Sequence, residues 1–527
     1  MNHPVELLCR IFSYLDLQDL YHCSLTCRFL QRVIEDSVEL QLHLQLGINR
    51  MVCFEPITSE PPISTRLEQL KRRQRAWRYL QWTDKVPFKF EPGEEMYEYV
   101  GGIYSVGNFQ SVSMIQLHSN RDREEEPLVW SATTDFSLCE YTTDSTRDLM
   151  VLVEISPEGS EFVLTSYIRT MSTNKPHPRA ATVTHGSLVR TEHDVTLSWR
   201  TTTAQIAGDF VSLLMRDVIN QTGSFIEIWN WTKVATVSNR CELIKMEGID
   251  DMSFLSATMF LITCPSLGHI EIYEFDDPAV SHHGPISKGI FKLPLLQPWS
   301  SYLYLHASSY PAVGQPCTLN PIPSLEKPLF HPSPDNRICA VHIPFEGELG
   351  HPVRSTLLIH SRVFFGLDPY VSASQEESES HLIPWEAWGP QNTRWYLTDW
   401  SGWRYASYGL KVIDAVGQGS ESDLDVVGAG DRRLRLMDFN PYALATSVSD
   451  DDAALEAWQK GRVVTETSCI PEGTFFMSAV ESRLPYREVV TEESFDLTEV
   501  MMDANQIVLL KRMGSEQSQD KFTVLKI

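Results

Sequence analysis

This 527-residue chain lacks several signatures, and each absence removes a class of function. Its ten cysteines include no Cys-x-x-Cys pair. Neither a zinc knuckle nor a dithiol redox centre is therefore expected, and the thiols are read as reduced and mostly buried. No apolar run approaches the roughly 18 residues needed to cross a bilayer. Val211–Met215 and Met259–Cys264 both stop short. A basic-then-apolar leader is also missing, so a cytoplasmic or nuclear location is expected. On that reading Asn220-Gln-Thr222 and Asn230-Trp-Thr232 are chance matches to the glycosylation pattern. Positive charge is scarce, with 44 Lys and Arg against 69 Asp and Glu and a formal charge of −25. Such a surface repels phosphate backbones, so neither nucleic acid nor membrane is an expected partner.

Catalytic motifs are missing as well. There is no Gly-x-Ser-x-Gly elbow, no His-Glu-x-x-His helix and no Gly-x-x-x-x-Gly-Lys-Ser/Thr loop. Gly417-Gln-Gly419 and Gly428-Ala-Gly430 each lack the third glycine of a dinucleotide site and read as turns. His282-His283 and the scattered histidines are read as having no carboxylate or cysteine at ligand spacing, and the pair reads as a surface turn. No catalytic residue, metal ligand or cofactor is expected, and the chain is read as a non-enzyme.

What is present begins at the N-terminus. Leu7, Leu8, Ile11, Phe12 and Leu15 have the spacing of an amphipathic helix, with Pro4 where a helix tolerates proline best. Asp16 and Asp19 interrupt the pattern with capping residues. A second apolar run follows: Leu20, Cys23, Leu25, Cys27, Phe29, Leu30, Val33 and Ile34. Below about 40 residues a bundle covers too little of its own surface to be stable alone. These side chains therefore need a partner surface, either a second protein or the rest of this chain.

The pattern Pro4-x-Glu6-Leu7-Leu8-x-x-Ile11-Phe12-x-x-Leu15, then Asp19-Leu20 and Cys27-Arg28-Phe29, resembles an F-box, with His3 and Phe29 in place of the usual leucine and tryptophan. The resemblance implies docking on a Skp-type adaptor, and through it on a cullin scaffold, by Pro4, Leu7, Leu8, Ile11, Phe12, Leu15, Leu20 and Phe29. It also implies a role as the substrate-recognition subunit of a Skp–cullin–F-box ubiquitin ligase that acts on an unknown protein target. Ala76-Trp-Arg-Tyr-Leu-Gln-Trp82, Ile226-Glu-Ile-Trp-Asn-Trp231, Leu436-Met-Asp-Phe-Asn-Pro-Tyr-Ala-Leu444 and Ser482-Arg-Leu-Pro-Tyr-Arg487 extend the likeness to F-box proteins of mushroom-forming fungi.

Residues 1–45 are thus read as F-box helices and 46–87 as a helical linker. In that linker Ser64 is expected to cap a helix bearing Leu67, Leu70, Trp77 and Leu80, with Lys71, Arg72, Arg73 and Arg75 on its solvated face. From about Phe88 long helical periods become scarce, and short β-branched and aromatic runs alternate with Gly, Pro, Asn, Asp and Ser. Phe225-Ile-Glu-Ile-Trp-Asn-Trp231 and His269-Ile-Glu-Ile-Tyr-Glu-Phe275 share a core displaced from Ile226 to Ile270, within the repeat of about 40–45 residues of a four-stranded propeller blade. Each copy follows a more continuous apolar run, Phe210–Met215 or Phe254–Cys264, as if a buried strand preceded a half-exposed one. Weaker echoes occur at Leu149–Ile155, Ser355–Phe365, Leu434–Phe439 and Phe522–Ile527.

That spacing, applied strictly to residues 88–527, would make about ten blades, above the four to eight usually found, so long loops are expected. They are placed at Pro311–Pro334, Ser372–His381 and Thr446–Lys460, the last with a short helix after Asp450. The fold class is α+β and multidomain: N-terminal helices, then a mainly-β domain over 88–527 read as a β-propeller of about seven blades. A sandwich series or a β-helix is the alternative.

Arg394, Trp395, Trp400, Trp403 and Arg404 are the densest group of hot-spot residue types, and Arg432 and Arg433 offer forks for an acidic or phosphorylated target. Together they are the candidate substrate-binding set, although the aromatics suit filling the gaps between blades better still. The rival reading of the whole is a non-ligase propeller scaffold. A propeller hydrolase or lectin would need carboxylates clustered at the central channel.

Overall fold

The computed structural model describes residues 4–54, 61–90, 96–117, 127–158, 161–189, 200–217, 224–234, 240–245, 248–281, 283–311, 329–346, 352–366, 382–398, 404–417, 431–444, 455–513 and 519–527. Five helices come first: α1 (Val5–Phe12), α2 (Leu17–Thr26), α3 (Arg28–Asp36), α4 (Val38–Ile48) and α5 (Ile63–Arg78). The residue before α5 is Pro62, so Ser64 lies inside the first turn and is not its cap. Lys71, Arg72 and Arg75 are exposed on α5, while Leu67, Leu70 and Trp77 are buried.

The rest is a seven-bladed β-propeller. Blade I runs from Met96 to Thr133, blade II from Leu138 to Val189, blade III from Arg200 to Lys245 and blade IV from Asp251 to Lys292. Blade V spans His306–Leu397 and blade VI Ser407–Asp496. Blade VII takes its three inner strands, Glu499–Met502, Gln506–Lys511 and Asp520–Lys526, from the end of the chain. Its outer strand, Asp84–Phe90, comes from just after α5 and pairs antiparallel with Asp520–Lys526, setting Asp84 opposite Lys526. This closes the ring and covers an edge that would otherwise be a template for aggregation.

Residue alternation explains why the sheets stack. Along Leu149–Val153 of blade II, Leu149, Val151 and Val153 face blade III, whereas Met150 and Leu152 face blade I. A strand buried on both sides needs a continuous apolar run, because successive side chains point to opposite faces. Each junction between neighbouring blades has its own apolar cluster, from blades I and II round to VII and I. Close packing constrains the backbone too: a Cβ on Gly107 would lie 2.6 Å from the Tyr141 ring of the next blade.

The two Ile-Glu-Ile copies are the equivalent third strands of blades III and IV, Ser224–Asn230 and His269–Glu274. Contrary to expectation, both are buried on both faces, since flanking blades cover them. Half-exposed alternation appears one strand further out, at Cys241–Lys245. The apolar run Phe254–Cys264 is two strands, Asp251–Phe254 and Met259–Cys264, joined by a turn. Leu149–Ile155, Leu434–Phe439 and Phe522–Ile527 each lie in or largely in strands, and Ser355–His360 is a strand followed by a helical turn at Arg362–Phe365. Of the expected insertions, residues 312–328, 367–381 and 445–454 lie outside the described residues, as do 418–430 with most of the two glycine pairs. After the third insertion a 3-10 turn occupies Ala457–Lys460.

The helices rest on the ring through α4 and α5. Leu42, Met51, Leu67 and Leu70 enclose Phe330, and Met51–Cys53 pairs with Phe330–Pro332. Trp77 and Leu80 join the core between blades VI and VII, and the Trp77 indole donates to Ala504 O at 2.9 Å.

Candidate functional site

Among the described residues, two places stand out as candidate sites. The first is the outer face of α1–α3. Asp16 caps α2 by accepting from Asp19 N at 2.8 Å, and Ser37 caps α4 by accepting from Leu40 N at 3.4 Å. With the helix starts fixed, Phe12, Leu20, Val33, Ile34 and Leu40 meet as a small core, and Leu8 and Leu15 pack half-buried against it. Phe12 and Leu20 are thereby removed from the candidate contact surface, because the bundle seals them itself. Leu7 and Ile11, one helical turn apart, remain 52% and 55% exposed, and Phe29 is 50% exposed. Pro4 is exposed as well. Val5, Tyr14 and Tyr21, which the sequence reading left out of the apolar face, are exposed too, as is Leu25 of the second apolar run. The signal was present in part: Tyr21 and Leu25 share an i, i+4 face of α2.

The second place is the middle of the ring, where the innermost strands leave a cavity of about 460 Å³. Glu98 of blade I, Glu140 of blade II and Asp251 of blade IV line it, together with Arg216, His306 and Arg404. Glu98 accepts from Thr143 Oγ1 at 2.8 Å. Burial pushes its carboxyl up to about 7. Burial, reinforced by the charge of Glu98, pushes Glu140 up to about 8. Burial also raises Asp251, against the pull of His306. Arg404 holds its guanidinium 5.8 Å from the centre of the Tyr97 ring.

Other members of the expected substrate set lie elsewhere. Arg394 and Trp395 are 2% and 1% exposed, and so leave the contact set. Their work is structural: the Arg394 guanidinium donates to Leu484 O, Glu466 O and Ser482 O, and the Trp395 indole donates to Ser355 Oγ at 3.0 Å. Arg432 and Arg433 sit half-buried in a strand of blade VI, away from the cavity lining. Trp400 and Trp403 lie outside the described residues.

Sequence reasoning also missed a trio in blade IV. Cys264, His269 and Glu271 place their donor atoms within 4.8 Å of one another. Local cations already occupy this position: Lys245 Nζ lies 2.8 and 2.5 Å from the two Glu271 oxygens, and Lys292 Nζ lies 3.2 Å from His269 Nδ1. Burial would raise the Glu271 carboxyl, but hydrogen bonds from His269, Lys245 and Tyr273 outweigh it and hold the group down to about 2. The trio is a satisfied network into which a metal ion would bring surplus positive charge.

No curated protein matches the sequence. Among solved structures, the AfRom2 CNH domain aligns over 84% of this chain and 99% of its own at 8% identity and a TM-score of 0.34. A luciferin-regenerating enzyme aligns over 80% and 100% at 7% identity and TM-score 0.26. A functionally unknown protein from Desulfotomaculum acetoxidans DSM 771 aligns over 49% and 67% at 10% identity and TM-score 0.26. The family model described as F-box-like matches residues 4–41, the stretch that folds as α1 to α3 and the start of α4. The chain therefore carries an F-box-like domain at its N-terminus, set on a seven-bladed propeller.

Proposed function

We propose that this protein is the substrate-recognition subunit of a Skp–cullin–F-box ubiquitin ligase in the cytoplasm or nucleus, akin to the F-box proteins of mushroom-forming fungi. The observation that carries this reading is the exposed apolar set Leu7, Ile11, Leu25 and Phe29 on a bundle whose opposite side already has a closed core. Each such side chain removed from water contributes roughly 1.5–3 kcal/mol, so four of them on an adaptor offset much of the cost of association. The function is positioning rather than bond chemistry. The helices fix the chain to the adaptor, and the ring holds a target close to the ubiquitin-charged enzyme, raising its effective concentration.

The test is a paired substitution, Leu7→Asp with Ile11→Asp, followed by co-purification with a Skp-type adaptor. Binding should be lost while the thermal unfolding of the ring stays unchanged; adaptor retained at the wild-type level overturns the proposal. The scaffold alternative draws support from the stitching of α4 and α5 to the ring. Removing residues 1–36 separates the two readings. A purely structural head predicts a lower melting temperature for the ring, whereas a docking head predicts none.

A further inference from the structure

We propose that the central cavity binds an organic cation, with its ammonium or guanidinium group held between Glu98 and Glu140. The two carboxylates project from the innermost strands of neighbouring blades into one space, and neither forms an ion pair among the described residues. Arg404 lowers both carboxyls only in part and burial still dominates, so the pair is left short of positive charge, which an incoming cation would supply. A second feature points the same way. Ser308 and Ser309 of blade V line the same cavity, are 6% and 8% exposed, and have hydroxyls with no hydrogen-bond partner. Hydroxyl oxygens accept, so they suit the N–H groups of such a ligand.

The walls favour an organic cation over a metal. Among the described residues the one trio with closely spaced donor atoms is Cys264, His269 and Glu271, and none of these lines the cavity. The cavity carboxylates therefore form no closely spaced ligand trio of the kind that holds a small metal ion. Aromatic faces complete the wall: Tyr405 packs 5.8 Å from Tyr97 and 5.0 Å from Tyr310. Arg404 already rests a guanidinium against Tyr97, so this wall accepts a delocalised cation. The raised carboxyls, about 7 at Glu98 and about 8 at Glu140, mean that an incoming cation displaces bound proton at neutral pH. Asp251, His306, Arg216 and Arg404 face the same space.

The chemistry has two sources, a free polyamine or a basic side chain on another protein, and calorimetry on the full-length chain distinguishes them. Spermidine is one probe and a short unstructured Arg- and Lys-bearing peptide the other, each titrated at pH 7 in two buffers of different ionisation heat. Saturable binding with net proton release is expected from at least one probe. Glu98→Gln and Glu140→Gln should each weaken it about tenfold or more and reduce the proton release, and Ser309→Ala should weaken it less. The two single variants carry the test separately should the double variant fail to accumulate. Absence of saturable binding by both probes, or unchanged affinity in both Gln variants, overturns the proposal. Adaptor co-purification is independent of these residues, so failure here leaves the ligase reading standing.

Discussion

The helical head and the ring treat the same residue types in opposite ways. In the ring every blade is covered by two neighbours, and apolar side chains of both strand faces disappear into seven shared clusters. In the head, α1–α3 have a small core on one side and Leu7, Ile11, Leu25 and Phe29 open to water on the other. The difference teaches that an exposed leucine means little by itself. Its meaning depends on whether the architecture had a place to hide it, and a closed ring has such places whereas a three-helix head does not.

The comparison breaks most sharply where the ring is most sealed. Trp388, fully buried between blades IV and V, donates its indole N–H to Lys292 O at 2.9 Å. Trp388→Ala should cost about 3–5 kcal/mol, read by chemical denaturation. Substitutions in the head should separate by face. Phe12→Ala should melt the bundle, whereas Leu7→Asp with Ile11→Asp should leave its circular dichroism intact and remove at least about 2 kcal/mol of adaptor binding per residue. Equal effects of the two faces on the fold would mean that both serve the bundle's own core.

Acid titration sharpens the picture of the ring. Burial, with help from Arg362 and Arg50, lowers His360 from 6.5 to about 3. The unfolded chain therefore takes up a proton that the folded one refuses. The stability due to neutral His360 is complete above about 6.5 and is lost as pH falls towards 3, on the order of 2–4 kcal/mol. His360→Asn keeps an acceptor for Arg362 N and should flatten that part of the stability curve. The smallest effect has the opposite sign. Glu140 carries a raised folded pKa, so its contribution is present below about 4.5 and is lost as pH rises through 8. Glu140→Gln should then stabilise the ring at pH 9 by on the order of 1 kcal/mol, after allowance for screening.

Legibility followed local period. Leu149–Val153 is an unbroken apolar run, and a strand clasped between two sheets is what such a run specifies. The shared Ile-Glu-Ile core likewise marked equivalent strands of blades III and IV. In α1 the amphipathic spacing identified a helix but left open which residues face inward, because Ile11 and Phe12 are adjacent in sequence and both apolar. Arg394 and Trp395 misled for a related reason: the residue types that make binding hot spots also satisfy carbonyls and fill space between blades.

By itself the sequence determined the helical head, the β-rich body, their order and the repeat, since these rest on spacing and propensity along a few residues. Tertiary structure alone decided that Phe12 is hidden and Ile11 is not. It also decided that the last strand meets Asp84–Phe90 to close the ring, and that Glu98 and Glu140 share one cavity. Closure joins residues more than 400 positions apart, as the register of Phe88 with Phe522 shows, and no local pattern encodes such a pairing.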